Sequence, residues 1–152
     1  MIDLHIHSKA SDGKLSIREI CKEAKDRNID FMAITDHDSI GCQDQATSLA
    51  KKARIRYITG VELNVTFSHP EFHEGKAVSL DFLGYQFDPQ NKALEYKMET
   101  MAHYREERAA KILDNLNGEF QKEGISALTK EDLGQIEESV DGVLGRPHIA
   151  DY

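Results

Sequence analysis

Positive charge is scarce in this chain: 19 Lys and Arg stand against 27 Asp and Glu, a formal net charge of −8 over 152 residues. No broad basic face is available to neutralise a duplex phosphate backbone, so any phosphate the protein handles has to be met locally. Long apolar runs are missing too. None approaches the roughly 20 residues that cross a bilayer, and Met1 to Gly13 has no basic n-region and several polar or acidic interruptions, so neither a membrane span nor a secretory signal is expected. Cysteine is confined to Cys21 and Cys42, without C-x-x-C spacing. That argues against a zinc ribbon or a disulfide framework and fits a reducing cytoplasm. The chain is also short. One compact domain is expected, and a complete eight-stranded β/α barrel of roughly 250 residues is out of reach.

What is present begins with strict alternation: Ile2, Leu4 and Ile6 fall on one face of a strand, Asp3, His5 and His7 on the other. Ser16 to Glu19 has the S-x-x-E form of a capping box, and Ile17, Ile20, Cys21 and Ala24 follow at helical spacing until Asn28. Phe31 to Ile34 is wholly apolar, as in a parallel strand covered on both faces. Asp38-Ser39 opens a second helical stretch ending near Ala53, with Asp38 as its N-cap, and Arg56 to Glu62 reads as a third strand. This β-α-β-α-β order predicts a parallel sheet with right-handed crossovers. Val65 to Lys76 reads as a loop or hairpin connection before a fourth strand, Ala77 to Phe87, stopped by Asp88 to Asn91. From Lys92, Leu94, Met98, Met101, Ala102, Ala109, Ile112, Leu113, Leu116 and Phe120 recur at three- and four-residue intervals and predict one long helix up to Gly124. Its stripe reads as a core face against the rest of the protein, with dimerisation as the alternative. Thr129 starts a shorter helix, and Gly142 to Tyr152 is a separate segment. The chain thus divides into a β/α half, 1–90, and a helical part, 91–152.

The candidate chemistry lies at strand ends. His5 and His7 project from one strand face about 7 Å apart, which fits either two surface histidines or two ligands of one or adjacent metals. Three further strands end in the same kind of residue: Asp36-His37-Asp38, then Glu62, then Asp81 inside the fourth. In parallel β/α folds the carboxyl ends of strands share one mouth, where Asp12, on the loop Ser11 to Gly13, also arrives. Imidazoles and carboxylates without thiolate suit Zn, Mn, Fe or Mg. Crowded carboxylates at one mouth call for cations between them, and two or more cations could supply a nucleophile and clamp a phosphate.

Together, Asp3-Leu4-His5-Ile6-His7-Ser8 with Ser11-Asp12-Gly13, Ile34-Thr35-Asp36-His37-Asp38, Gly60-Val61-Glu62, Phe82-Leu83-Gly84-Tyr85 and Gly145-Arg146-Pro147-His148-Ile149-Ala150 resemble the PHP (polymerase and histidinol phosphatase) metal-dependent phosphoesterases. Within them, the likeness is to the nucleotide-phosphatase and exoribonuclease branch. The resemblance implies an α/β fold, a partial distorted (β/α)7 PHP barrel with a helical insertion ending in G-R-P-H. It implies two or three divalent ions (Mn, Zn or Fe) in the complete site. His5, His7 and Glu62 would serve the first ions with Glu62 as a bridge, and Asp12 and His37 the outer one. His5, His7, His37 and Glu62 become the catalytic set, and Arg146 and His148 the phosphate-contacting segment. Asp81 stands where many relatives carry a histidine ligand. The family's later ligands, a His and a D-x-H pair, are absent from this sequence, and His69, His73 and His103 do not replace them.

The expected activity is hydrolysis of phosphate monoesters or short oligonucleotide ends, such as a nucleotide 3′,5′-bisphosphate, by metal-bound hydroxide. The expected partners are a small phosphorylated substrate or a short oligoribonucleotide, with no duplex nucleic acid and no membrane. The alternative is a truncated or split PHP domain that binds metal but is non-catalytic on its own, completed by a second chain.

Overall fold

The computed structural model describes residues 1–140, 142 and 144–152. Val143, inside the segment Gly142 to Tyr152 read from the sequence, lies outside them. The alternating run forms strand β1 (Ile2–Ile6) and the apolar run forms β2 (Phe31–Ile34), whose Met32, Ala33 and Ile34 are fully buried. Both pair in parallel, with β2 between β1 and the short β3 (Arg56–Tyr57). The crossovers are helices α1 (Ile17–Asp26) and α2 (Gln43–Ala53). Helix α1 starts as its capping box predicts: Ser16 Oγ accepts from the Glu19 amide while the Glu19 carboxylate accepts from the Ser16 amide, pairing two otherwise orphaned donors. Its buried face, Ile17, Ile20, Cys21 and Ala24, joins Ala46 and Ala50 of α2 and Met32 and Ile34 of the sheet in one core cluster.

The third predicted strand is broken, and a side chain explains why. Strand β3 ends at Tyr57 and β4 runs from Gly60 to Phe67. Gln43, fully buried, occupies the break. Its Nε2 donates to the carbonyls of Ile34 and Gly60 at 3.1 and 2.8 Å, and its Oε1 accepts from the Gly60 amide and the Tyr57 hydroxyl at 3.2 and 2.8 Å. One amide therefore satisfies backbone groups that a continuous ladder would have paired. Gly60 has to be glycine here, because a Cβ would stand 2.8 Å from the Ile34 carbonyl oxygen and 2.7 Å from Thr35 Cγ2. Gly60→Ala should cost roughly 1–3 kcal/mol by overpacking, seen as a lower urea midpoint with an unchanged m-value. An unaltered midpoint would show that the β2–β4 contact is looser than this.

Strand β4 pairs antiparallel with β5 (Val78–Tyr85), from Gly60 opposite Tyr85 to Phe67 opposite Val78. The predicted connection is thus a hairpin, with a 3-10 turn at His73–Gly75 and exposed His69 and His73. It joins the parallel sheet through a bridge between His37 and Glu62. Helix α3 (Lys92–Glu123) is the long predicted helix, capped by Asn91 and ended by Gly124 with φ 70°. Helix α4 (Lys130–Glu138) begins at the Thr129 capping box, and α5 (Arg146–Ala150) carries Pro147 in its first turn. The C-terminal half of the α3 stripe is a core face as predicted: Ala109, Ile112 and Leu116 pack with Ile136, Leu144 and Ile149 of the following segments. Among the described residues no helix is long and apolar enough to cross a membrane.

Candidate metal centre

The mouth is assembled by backbone. After β1 the chain turns tightly, the amides of Ser11 and Gly13 both donating to the Ser8 carbonyl at 3.0 and 2.9 Å. A Cβ at Gly13 would lie 2.2 Å from the His7 carbonyl oxygen, so only glycine lets the loop fold back and return Asp12 over His7. Asp36, buried at the end of β2, fastens this loop. It accepts from the Ser8 amide, Ser8 Oγ and Ser11 Oγ at 2.6, 2.6 and 2.7 Å. On its other side, the Glu62 amide donates to the Asp36 carbonyl at 3.2 Å and the Asp38 amide to the Glu62 carbonyl at 2.8 Å. His37, between those two bonds, is thereby set beside Glu62.

Three imidazoles converge on one buried carboxylate oxygen. His7 Nε2, His5 Nε2 and His37 Nδ1 lie 2.9, 3.0 and 3.6 Å from Glu62 Oε2. Asp12 closes the outer side, its two oxygens 3.3 Å from His7 Nδ1 and 3.7 Å from His37 Nε2. The rings of His5 and His7 are 5.1 Å apart and those of His7 and His37 4.6 Å. Two donor groups result, His5-His7-Glu62 and His7-Asp12-His37, each with its ligand atoms within 4.8 Å of one another.

One buried nitrogen of this arrangement is left without a partner. His7 presents both ring nitrogens to carboxylates, an arrangement that either an imidazolium or a metal on one nitrogen satisfies. His37 Nδ1 is buried with no hydrogen-bond partner among the described residues. Donor atoms sharing an ion at about 2.1 Å stand roughly 3.0–3.4 Å apart at octahedral and tetrahedral angles, close to the 2.9–3.7 Å of the imidazole–carboxylate pairs here. Each donor group has the chemistry to hold a divalent cation, and the lone pair of a neutral His7 ring serves one of the two. Thiolate plays no part: burial, and then the charge of neighbouring Asp36, push the Cys42 thiol far up, so it stays protonated and donates to Asp36 at 3.2 Å.

The remaining predicted residues are distributed unequally. A cavity of about 430 Å³ over the mouth is lined by Asp12, His37, Asp81, Arg105, Arg108 and Arg146, among others. Arg146 thus shares the cavity with Asp12 and His37, two of the donors. Asp81 is exposed on β5, accepts from Asn64 Nδ2 at 2.6 Å, and belongs to neither donor group. His148 is turned to its own helix start, its Nδ1 accepting from the Gly145 amide at 2.9 Å. His103 is exposed on α3, 3.4 Å from Glu106 and 3.5 Å from Glu107.

Sequence reading misplaced Asp38 and missed Arg105 and Arg108. Asp38 caps no helix, because α2 begins five residues later behind Cys42. Instead it is buried with φ 47° and accepts from the Asn64 amide at 3.1 Å and from Arg105 Nε at 2.8 Å and Nη2. A signal for Arg105 existed: the α3 stripe lapses between Ala102 and Ala109, and Arg105 fills the gap on the same helix face.

Fold and mouth together define an α/β protein with a histidine–carboxylate centre suited to divalent cations, built at the carboxyl ends of β1 and β2 and the start of β4. The family model for the PHP domain matches residues 3–146, and the chain belongs to that family. It is 33% identical over 150 residues to a 5′-3′ exoribonuclease of Haemophilus influenzae, covering 99% of this chain and 49% of that protein. It is 32% identical over 111 residues to a 3′,5′-nucleoside bisphosphate phosphatase of Chromobacterium violaceum, covering 73% of this chain and 36% of that one. Among solved structures it resembles a protein from Bifidobacterium adolescentis described as a metal-dependent phosphoesterase (TM-score 0.78). It also resembles a Chromobacterium violaceum protein described as an amidohydrolase, solved with sulfate and no metal (TM-score 0.77). Each is 26% identical, over 99% of this chain and 48% of the other. The chain spans about half the length, or less, of these relatives.

Proposed function

We propose that the protein carrying this chain is a metal-dependent phosphoesterase acting on phosphate monoesters or short oligonucleotide ends, such as a nucleoside 3′,5′-bisphosphate. The observation that carries the reading is the convergence of three imidazoles on Glu62 Oε2, with His37 among them lining a cavity that Arg146 also lines. In this reading His5, His7 and Glu62 hold one cation, with Glu62 as a bridge, and Asp12 and His37 hold a second, Mn, Zn or Fe being the ions that suit such donors. Bound cations supply an activated water and a clamp on phosphate oxygens. The chain's own contribution is to place its donors rigidly and to offer the Arg146 guanidinium, whose planar fork matches two phosphate oxygens. Asp81 on the rim and His148 behind Arg146 are outer members of the site. Residues 1–90 form the β/α part of a distorted (β/α)7 barrel, and 91–152 are a helical insertion that brings the arginines over the mouth.

The full-length protein should release inorganic phosphate from adenosine 3′,5′-bisphosphate, lose the activity on chelation and regain it with Mn or Zn. A metal-loaded protein inert to bisphosphates, short oligoribonucleotides and model esters would sink the proposal. The length comparison favours a second reading, in which this segment binds metal but turns nothing over alone; there, residues 1–152 retain metal and only the longer protein hydrolyses.

A further inference from the structure

The N-terminal part of the α3 stripe is not closed over as a core. Leu94, Met98, Met101, Arg105 and Arg108 follow one another at four- and three-residue steps, hence on one helix face. They line a groove of about 760 Å³ against Leu63 and Val65 of β4, with Lys97 and the exposed Tyr104 also in its lining. This groove and the 430 Å³ mouth share Asn64, Ser79, Arg105 and Arg108. The two adjoin, and the helix face between them changes from apolar to cationic.

We propose that the groove is a nucleobase subsite: it takes the base of a nucleotide whose phosphate lies in the mouth, with Arg108 at the junction contacting that phosphate. The inference rests on the phosphoesterase reading and adds the place in the fold, and the side chains, that would take the base. Charge complementarity selects the occupant, since Arg105 and Arg108 stand where the groove meets the mouth, and Leu94, Met98, Met101 and Tyr104, with Lys97 beside them, line the groove itself. The ligand therefore needs an anionic head joined to a flat apolar body. Thioether side chains such as Met98 and Met101 favour contact with aromatic rings, and a tyrosine ring stacks on any base without reading its sequence. The volume falls in the range of small-ligand clefts. Arg105 is tied down by Asp38 through Nε and Nη2, which leaves Arg108, one turn on, as the side chain that serves both depressions.

The test is a binding measurement on the Mn-loaded full-length protein, with adenosine 5′-monophosphate and ribose 5-phosphate as probes. The nucleotide should bind about tenfold more tightly, the increment expected of one stacked base. Tyr104→Ala and Met101→Ala should each erase that preference while leaving the Kd of ribose 5-phosphate unchanged. Arg108→Gln should weaken both probes alike. Equal affinities for the two probes, or a loss of both in Tyr104→Ala, would overturn the subsite. A protein that prefers the nucleotide but never hydrolyses the bisphosphate keeps the subsite and loses the phosphoesterase reading. One that hydrolyses it with no such preference does the reverse.

Discussion

Glu62→Gln should give a folded protein that no longer retains metal, with affinity down at least about a hundredfold, since even the partners behind metal ligands are worth 10–100-fold. The substitution keeps the shape of the side chain and removes the charge on which three imidazoles converge. The backbone bonds through Asp36 and Asp38 that place residue 62 do not involve its side chain. Without metal, a buried carboxylate is costly, so the metal-free variant should be no less stable than the metal-free parent. Elemental analysis and a urea titration of both forms check this. If the cluster were merely a structural ion network, the outcome would invert: the variant would lose about 3–5 kcal/mol as a broken buried pair, and Mn would leave the stability of the parent unchanged.

How much of this could be read in the sequence depends on how local the determinant is. The His5/His7 face follows from alternation within five residues, and the α1 start from a four-residue capping box, so both were legible. The chemistry after β2 was legible because His37 follows an apolar run, whereas Glu62, expected to close the third strand, is instead the third residue of β4 and enters the mouth from the start of that strand. The break before Gly60 was not, because it depends on Gln43 reaching across from another element. Asp38 shows the same limit. Asp-Ser before a helical stretch is a good cap signal, but a positive φ and a guanidinium from a helix 67 residues away override it. The arginines over the mouth were hidden for the complementary reason. On an isolated helix, Arg105 and Arg108 look like solvent-facing charges, and only the packing of Arg105 onto the buried Asp38 turns their face inward.

That packing leads to the second large effect. Asp38 is 1% exposed and Arg105 13% exposed, far from the regime in which surface pairs contribute about 0–1 kcal/mol. Arg105→Met should destabilise the protein by about 3–5 kcal/mol, because it leaves the Asp38 carboxylate buried without its partner. Asp38→Asn should cost less. Asparagine tolerates the left-handed backbone at this position, its side-chain oxygen can still accept from the Asn64 amide, and the arginine left behind has a path to water. The double variant Asp38→Asn/Arg105→Met should recover part of the loss, a coupling that denaturant titration of the four proteins measures directly. Additive losses, or an Arg105→Met cost below about 1 kcal/mol, would mean that the pair is solvated and does not anchor α3. If the coupling is found, its consequence reaches the mouth. The Asp38–Arg105 contact pins the long helix beside the His37–Glu62 bridge, so the same pair that stabilises the fold fixes the distance between the metal donors and Arg108.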